Sequence, residues 1–352
     1  MWVINSLIFL AVISVLIISH EFGHFLVARL SGINVEKFAI GFGPIIFKKK
    51  IRETLFLICA IPLGGYVKLR GDSRDDCQGR SDEFFSKSPG IRARVVFAGP
   101  LFNYFCSFLI LWFLFTFGMP FLDTTIGELI KDSPGEIVGL QEQDKIIEIN
   151  GQRVDTWEDM QYLIRKSKNS INLLVLRNDQ ILEFRITPET KKLKDIFGRE
   201  REFPIIGIKS ALKVKILKDN FFVAFFKGFK RLIIITLLIV KGLYYTVTGV
   251  LPVRESVAGP IALFQITSDI AQQGFVALLN LISIIGVSLA LINLFPIPVL
   301  DGGHLLFFLL EKIRKKPLSQ KSEDILNRLG IIIIGLVVVF VFYNDILRIV
   351  SK

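Results

Sequence analysis

Residues 2–30 read WVINSLIFLAVISVLIISHEFGHFLVARL. From Trp2 to Ser19 there is no charged side chain. A bilayer core takes about 20 apolar residues as a helix, so this stretch reads as a membrane span. Its far end carries His20-Glu21-Phe22-Gly23-His24. On a helix, residues four apart share one face. Two imidazoles at that spacing can hold one Zn²⁺, and the Glu between them can act as general base. The chain has 3 histidines, and two of them are in this motif. Ionisable groups at membrane depth are costly and mark functional sites. The blander reading is a polar helix end reaching for the interface, which leaves Glu21 unpaired in a low dielectric.

Working outward, 51% of the 352 residues are apolar, and they collect in blocks of spanning length. Residues 97–119, 274–295 and 331–343 (with flanks from 329 to 349) join the first block to make four expected spans. A fifth block, 232–250, holds Lys241 and follows Phe225, Phe226, Lys227 and Lys230. A charge in mid-span is expensive. This block is therefore expected to lie along the membrane surface or to pack on the bundle.

The net charge is +11. A nucleic-acid binder would cluster its basic residues on a soluble domain. Here they sit between apolar blocks: Lys48, Lys49, Lys50, Arg52, Lys68, Arg70, Arg74 and Arg80 in one loop, Lys312, Arg314, Lys315, Lys316 and Lys321 in another. With four spans both loops fall on one face, which the positive-inside rule makes cytoplasmic. Both termini and residues 123–211 are then expected outside the cytoplasm. The chain has 3 cysteines, Cys59, Cys77 and Cys106, with no metal-ligand spacing and no even count for a disulfide framework. The first block lacks a basic leader and a small-residue cleavage site, so it is expected to be a retained helix.

Residues 123–211 read as one small α/β domain. Ile146, Ile147 and Ile149 lead into Asn150-Gly151, a strand followed by a turn. Residues 155–166 read as a helix capped by Asp155 or Thr156. Residues 173–177 and 182–186 read as a hairpin around Asn178-Asp179. Residues 53–58 and 65–69, in a segment broken by Pro62 and Gly64-Gly65, suit strands rather than a span.

Two histidines leave a catalytic zinc one protein ligand short. Asn293-Leu294-Phe295-Pro296-Ile297-Pro298-Val299-Leu300-Asp301-Gly302-Gly303-His304 ends the third block. Its prolines force extended backbone, and its glycines allow close approach to another chain segment. Asp301 is the candidate third ligand. The competing reading makes it the N-cap of the following helix. His304 is the alternative ligand, read otherwise as a supporting or capping residue. Asn293 is a candidate to hydrogen-bond a substrate carbonyl or developing oxyanion, or to bond between helices.

On these motifs the chain resembles the bacterial site-2 proteases, intramembrane zinc metalloproteases of the regulator of sigma-E protease type. Supporting pieces are Gly41-Phe42-Gly43-Pro44, Ile61-Pro62-Leu63-Gly64-Gly65-Tyr66-Val67, Ala98-Gly99-Pro100 with Asn103, and Ala258-Gly259-Pro260-Ile261. The resemblance implies Zn²⁺ held by His20, His24 and Asp301, with Glu21 as base and Asn293 at the substrate. It implies a polytopic α-helical membrane protein of about four transmembrane helices, with a membrane-dipping β-hairpin and one inserted PDZ-like domain. The implied order is a helix with the His/Glu/His motif (1–30), a cytoplasmic and membrane-dipping β region (31–90), a second span (91–119), the extracytoplasmic PDZ-like domain (123–211), an interfacial helix (219–260), a third span with the Asn/Asp motif (274–310) and a fourth (329–350). Ser133-Pro134-Gly135, Gly139-Leu140 and Asp144-Lys145-Ile146 carry the PDZ likeness. Gln143 stands where such domains often have Gly, so a different turn is expected there.

The implied setting is the bacterial cytoplasmic (inner) membrane. The implied partners are single-span membrane protein substrates such as anti-sigma factors or remnant signal peptides, the lipid bilayer, and a peptide ligand of the PDZ-like domain, with no nucleic acid. An exposed edge of the β region would hold substrate as an added strand. The rival reading is a non-enzymatic membrane scaffold that recruits partners through its PDZ-like domain and has no need of zinc or Glu21.

Overall fold

The computed structural model describes residues 1–167, 169–195, 197–253 and 257–350, without the side chains of Leu63 and Ile349. They form two compact units: Met1–Leu114 with Phe225–Lys352, and Phe115–Ala224.

The first unit is helical except for one sheet. Its helices are α1 (Trp2–Leu30), α2 (Pro89–Phe117), then, after the short α3 (Pro134–Ile137) and α4 (Trp157–Lys166) of the other unit, α5 (Phe221–Val247), α6 (Pro260–Gln272), α7 (Phe275–Asn293), α8 (Asp301–Arg314) and α9 (Gln320–Val350). Among the described residues, Trp2–Leu30, Pro89–Phe117, Phe275–Asn293 and Gln320–Arg348 are long and apolar enough to cross a membrane. Val12, Leu16 and Ile282 form one core cluster, and Leu111, Leu232, Ile235 and Val287 another, so α1, α2, α5 and α7 share an apolar interior.

The second of these clusters places α5. Gly228 abuts the Trp112 backbone, while Tyr104 and Thr236 share a hydroxyl hydrogen bond of 2.9 Å. The helix therefore packs on the bundle along α2. Residues 254–256 of the expected 219–260 segment lie outside the described residues. Lys241 lies 5.7 Å from the Tyr245 ring centroid.

α9 and α6 are joined by a buried carboxylate. Asp345 accepts backbone N–H bonds from Gly259 (3.1 Å), Ile261 (2.9 Å) and Ala262 (3.0 Å). A helix start offers unpaired N–H groups and a positive dipole end, which satisfies an anion buried in apolar surroundings.

The sheet consists of β1 (Val35–Ile51) and β2 (Thr54–Leu69), paired antiparallel with several register shifts. Both strands fold over, so four segments lie side by side. Residues 37–40 face 65–68 on one side and 55–58 on the other, while 47–51 face 54–58. The expected strands 53–58 and 65–69 are thus both present, but 37–40 lies between them. Ser14 Oγ in α1 donates to Pro62 O (3.3 Å) at the folded tip.

In the Phe115–Ala224 unit, β5 (Lys145–Ile149), β6 (Gln152–Arg153), β7 (Ile171–Arg177) and β8 (Gln180–Ile186) form a sheet of order β6-β5-β7-β8. β3 (Met119–Leu122) pairs with β12 (Val214–Leu217), β4 (Ile126–Leu129) with β11 (Ile208–Ser210), and β9 (Glu189–Lys194) with β10 (Glu200–Ile205). Asn178 and Asp179 take φ 46° and 62°, and Asn150 and Gly151 take 48° and 79°. Such left-handed pairs close two-residue hairpins whose twist suits the flanking strands. Thr156, not Asp155, caps α4 by accepting from Asp159 N (3.1 Å). The core gathers Ile146, Ile149, Met160, Ile171, Leu173 and Val175. Gln143 takes φ 68°, so the left-handed turn is kept without glycine. The neighbouring Asp144 carboxylate accepts two bonds from Arg177, both 2.7 Å.

Candidate metal centre

His20 and His24 occupy the same face near the C-terminal end of α1. α2 lies close against that face. A Cβ on Gly23 would meet Ala98 O at 2.3 Å, and one on Gly99 would meet His24 Nε2 at 2.3 Å and His20 Cε1 at 2.9 Å. Glycine at both positions lets the helices approach until the imidazoles rest on the α2 backbone. His24 Nδ1 lies 2.9 Å from Val95 O and donates to it, which leaves Nε2 with a free lone pair.

Asp301 arrives from the other side. After α7 ends at Asn293, the Pro296 and Pro298 break turns the chain, and Val299 adopts φ 83°. A β-branched residue there is strained, and it precedes Asp301 by two residues. Gly302 and Gly303 fit where a Cβ would strike Leu294 O (2.3 Å) and Ile297 O (2.4 Å). The N-cap of α8 is Leu300, with no side-chain cap bond, so Asp301 is the first helical residue and is not spent on capping.

The three side chains converge. His20 Nε2 lies 3.1 Å from His24 Nε2 and 3.1 Å from Asp301 Oδ2, and His24 Nε2 lies 3.6 Å from Asp301 Oδ1. Among the described residues, His20, His24 and Asp301 form the one group of His, Cys, Asp or Glu spaced to hold a metal, with their ligand atoms all within 4.8 Å. Donors bound at about 2.05 Å in a tetrahedron stand about 3.3 Å apart, which this triangle matches. Asp301 Oδ2 is buried without a hydrogen-bond partner although His20 Nε2 is near, as expected of an atom aimed at a cation. The N, N, O donor set suits zinc. His304 lies outside the ligand group but lines the same cavity as Glu21, His24 and Asp301, a space of about 420 Å³.

Glu21 lines the same cavity as His24 and Asp301 and also faces the sheet. The Val67 backbone N–H faces its carboxylate, and a Cβ on Gly65 would stand 3.2 Å from Glu21 Cγ. Asn293 Nδ2 lies 3.5 Å from His20 Nδ1. With His20 Nε2 turned to a metal, Nδ1 carries the proton, and the amide oxygen suits that position better than its nitrogen. The sequence reading missed Gly99 and the Val95 carbonyl. Only the Ala98-Gly99-Pro100 run pointed toward them.

Residues 8–337 match the model of peptidase family M50. A Campylobacter jejuni protein named as a zinc metalloprotease is 34% identical over 97% of this chain and 93% of its own length. The zinc metalloprotease RasP of Oceanobacillus iheyensis is 28% identical over 97% of this chain and 98% of its own length. Among solved structures, the PDZ domain of an SdrC-like protein from Listeria innocua is 21% identical, with TM-score 0.21, over 25% of this chain and 93% of that one. The chain belongs to peptidase family M50.

Proposed function

We propose that this intramembrane zinc metalloprotease hydrolyses transmembrane segments of single-span membrane proteins, with His20, His24 and Asp301 holding Zn²⁺ and Glu21 acting as base. The observation that carries the reading is the convergence of three ligand atoms from α1 and α8 beside that carboxylate, with α1 itself long and apolar enough to span a bilayer. When bound, zinc supplies Lewis acidity toward water and the scissile carbonyl. Glu21 takes the proton from the attacking water and returns it to the leaving amine. Val95 O holds the His24 ring in the tautomer that ligates. Asn293, at the end of α7, reaches the same centre and supports the substrate carbonyl or the His20 ring.

Residues 65–69 form the edge of the sheet nearest Glu21, and we assign them the substrate as an added strand. The Phe115–Ala224 unit reads as PDZ-like and extracytoplasmic, from its sequence motifs and from loop charge. A cavity of about 180 Å³ beside α4, lined by Trp157, Ile164 and Ile206, offers it a peptide site.

The test is metal content and turnover together. Purified protein should carry zinc, which His24→Ala loses. Glu21→Gln should keep the zinc while cleavage of a membrane-embedded substrate disappears. Comparable turnover by Glu21→Gln would refute the mechanism.

A further inference from the structure

The sheet of β1 and β2 has two edges of opposite character. The inner edge, 65–69, lies by Glu21. The outer edge is Phe47-Lys48-Lys49-Lys50-Ile51, paired on one side only, with Arg52 in the turn beyond it. Lys48, Lys49, Lys50 and Arg52 are all exposed, and among the described residues none of them forms an ion pair. Glu53, beside Arg52 in the same turn, accepts a hydrogen bond from the Asn34 amide.

Next to these cations the same sheet presents bare apolar surface. Ile46 is 71% exposed, Phe47 54%, Ile45 53% and Ile61 50%. The Ser14–Pro62 hydrogen bond fixes the apolar tip beside α1. Ser14 lies six residues before His20, about 9 Å deeper along the span. Ile46 and Lys50 stand about 13 Å apart along an extended strand. The polar headgroup zone of one leaflet is about 5–8 Å thick. The strand is therefore long enough to keep its isoleucines among acyl chains and its ammonium groups among lipid phosphates.

We propose that residues 47–52 are a binding surface for anionic phospholipid, which holds the sheet against α1. Lys48, Lys49, Lys50 and Arg52 take the headgroup phosphates, and residues 42–47 enter the acyl region. The proposal rests on the membrane-embedded reading of this unit. A competing role exists for the same lysines: charges on an exposed edge block pairing between copies, which requires no phosphate.

The experiment uses the full chain in neutral detergent, with bound lipid counted by native mass spectrometry. The probes are phosphatidylglycerol, phosphatidylcholine of the same acyl chains, and inorganic phosphate. Phosphatidylglycerol should be retained at least tenfold over phosphatidylcholine, and millimolar phosphate should not displace it. The combined variant Lys48→Gln, Lys49→Gln, Lys50→Gln and Arg52→Gln should lose that preference, whereas Lys192→Gln with Lys194→Gln should keep it. In nanodiscs, adding phosphatidylglycerol should raise cleavage by the parent severalfold and leave the fourfold variant at the parent's phosphatidylcholine rate. Unchanged phosphatidylglycerol retention by the fourfold variant overturns the proposal. If that variant also self-associates, edge protection is the role of the lysines. Displacement by free phosphate overturns it too, since the site would then be one for soluble anions. A parent that cleaves nothing in any lipid refutes the protease reading, and the lipid count still decides this proposal.

Discussion

Replacing Gly99 by alanine should damage zinc binding without damaging the helix that carries it. The new Cβ would stand 2.3 Å from His24 Nε2, 2.5 Å from His24 Cε1 and 2.9 Å from His20 Cε1. Ordinary contact lies near 3.5 Å, so the His24 ring must retreat by about 1 Å. It is tethered by Nδ1 to Val95 O at 2.9 Å, on the same helix that carries the intruding methyl. Making room by separating the helices would open the close contact at Gly23, where a Cβ would be 2.3 Å from Ala98 O. Metal–ligand distances tolerate about 0.2 Å. Loss of a ligand's supporting contact typically costs 10–100-fold in metal affinity, and the expected penalty here is about that size, roughly 1.4–2.7 kcal/mol. Ala for Gly inside a helix favours the helical backbone by about 0.5–1 kcal/mol. Zinc-free Gly99→Ala, with the ring rotated aside, should therefore melt no lower than the zinc-free parent. The assay is zinc competition against a chelator of known affinity, with melting of both stripped proteins. Affinity within threefold of the parent would refute this account of the site.

Two further outcomes follow from the geometry. Asp301→Asn should lower zinc affinity at least tenfold in protein that stays folded in detergent, while His304→Gln should cost less; the reverse ranking in metal titrations would transfer the third ligand to His304. Outside the spans, burial alone would raise the Asp123 carboxyl, but the Lys145 ammonium at 2.8 Å and the Thr124 N–H at 2.7 Å hold it below the usual carboxylate range. Its contribution, about 1 kcal/mol, is therefore present above pH ~4 and lost as pH falls through the lowered folded value. Acid unfolding of the Phe115–Ala224 unit, followed in the full chain, should lose that dependence in Lys145→Met; an unchanged profile would remove the pair from the account.

The parts of the fold legible in the sequence were those governed by local rules. Spanning length follows from hydropathy, so the four candidate spans were visible. The turns at Asn150-Gly151 and Asn178-Asp179 follow from residues that tolerate positive φ, and the α4 cap from Thr156. The His pair was visible because i and i+4 share a face. Asp301 was harder, since its distance to His20 depends on how the 294–300 break folds back, and no local rule measures that. The order of the sheet was not legible, because 37–40 separates the two expected strands, a register set by long-range pairing. The Asp345 bonds to the start of α6 join residues more than 80 positions apart, which no local rule anticipates. Gly99 was legible only as part of the Ala98-Gly99-Pro100 run, because a glycine in an apolar helix announces close approach without naming what approaches.

The two sheet edges bear on how a helical substrate reaches the centre at all. In a bilayer each unpaired backbone N–H or C=O costs several kcal/mol, so a transmembrane helix cannot simply unwind to expose one peptide bond. An edge strand removes that obstacle by supplying a new row of partners as the old ones are given up. The edge must be open, and it must be the edge beside the base. Residues 65–69 lie beside Glu21 and pair with another strand segment on one side only, although the Leu69 N–H donates to Asp72 (3.2 Å). The Val67 N–H faces Glu21, and Gly65 lacks the Cβ that would stand 2.9 Å from Ala39 O and 3.2 Å from Glu21 Cγ. The opposite edge carries Lys48, Lys49 and Lys50, which the lipid proposal places among headgroup phosphates, away from Glu21. Pairing is thus directed to one side of the sheet. A substrate strand laid there would pass Glu21, the proposed base, and come within reach of His20, His24 and Asp301, the proposed ligands.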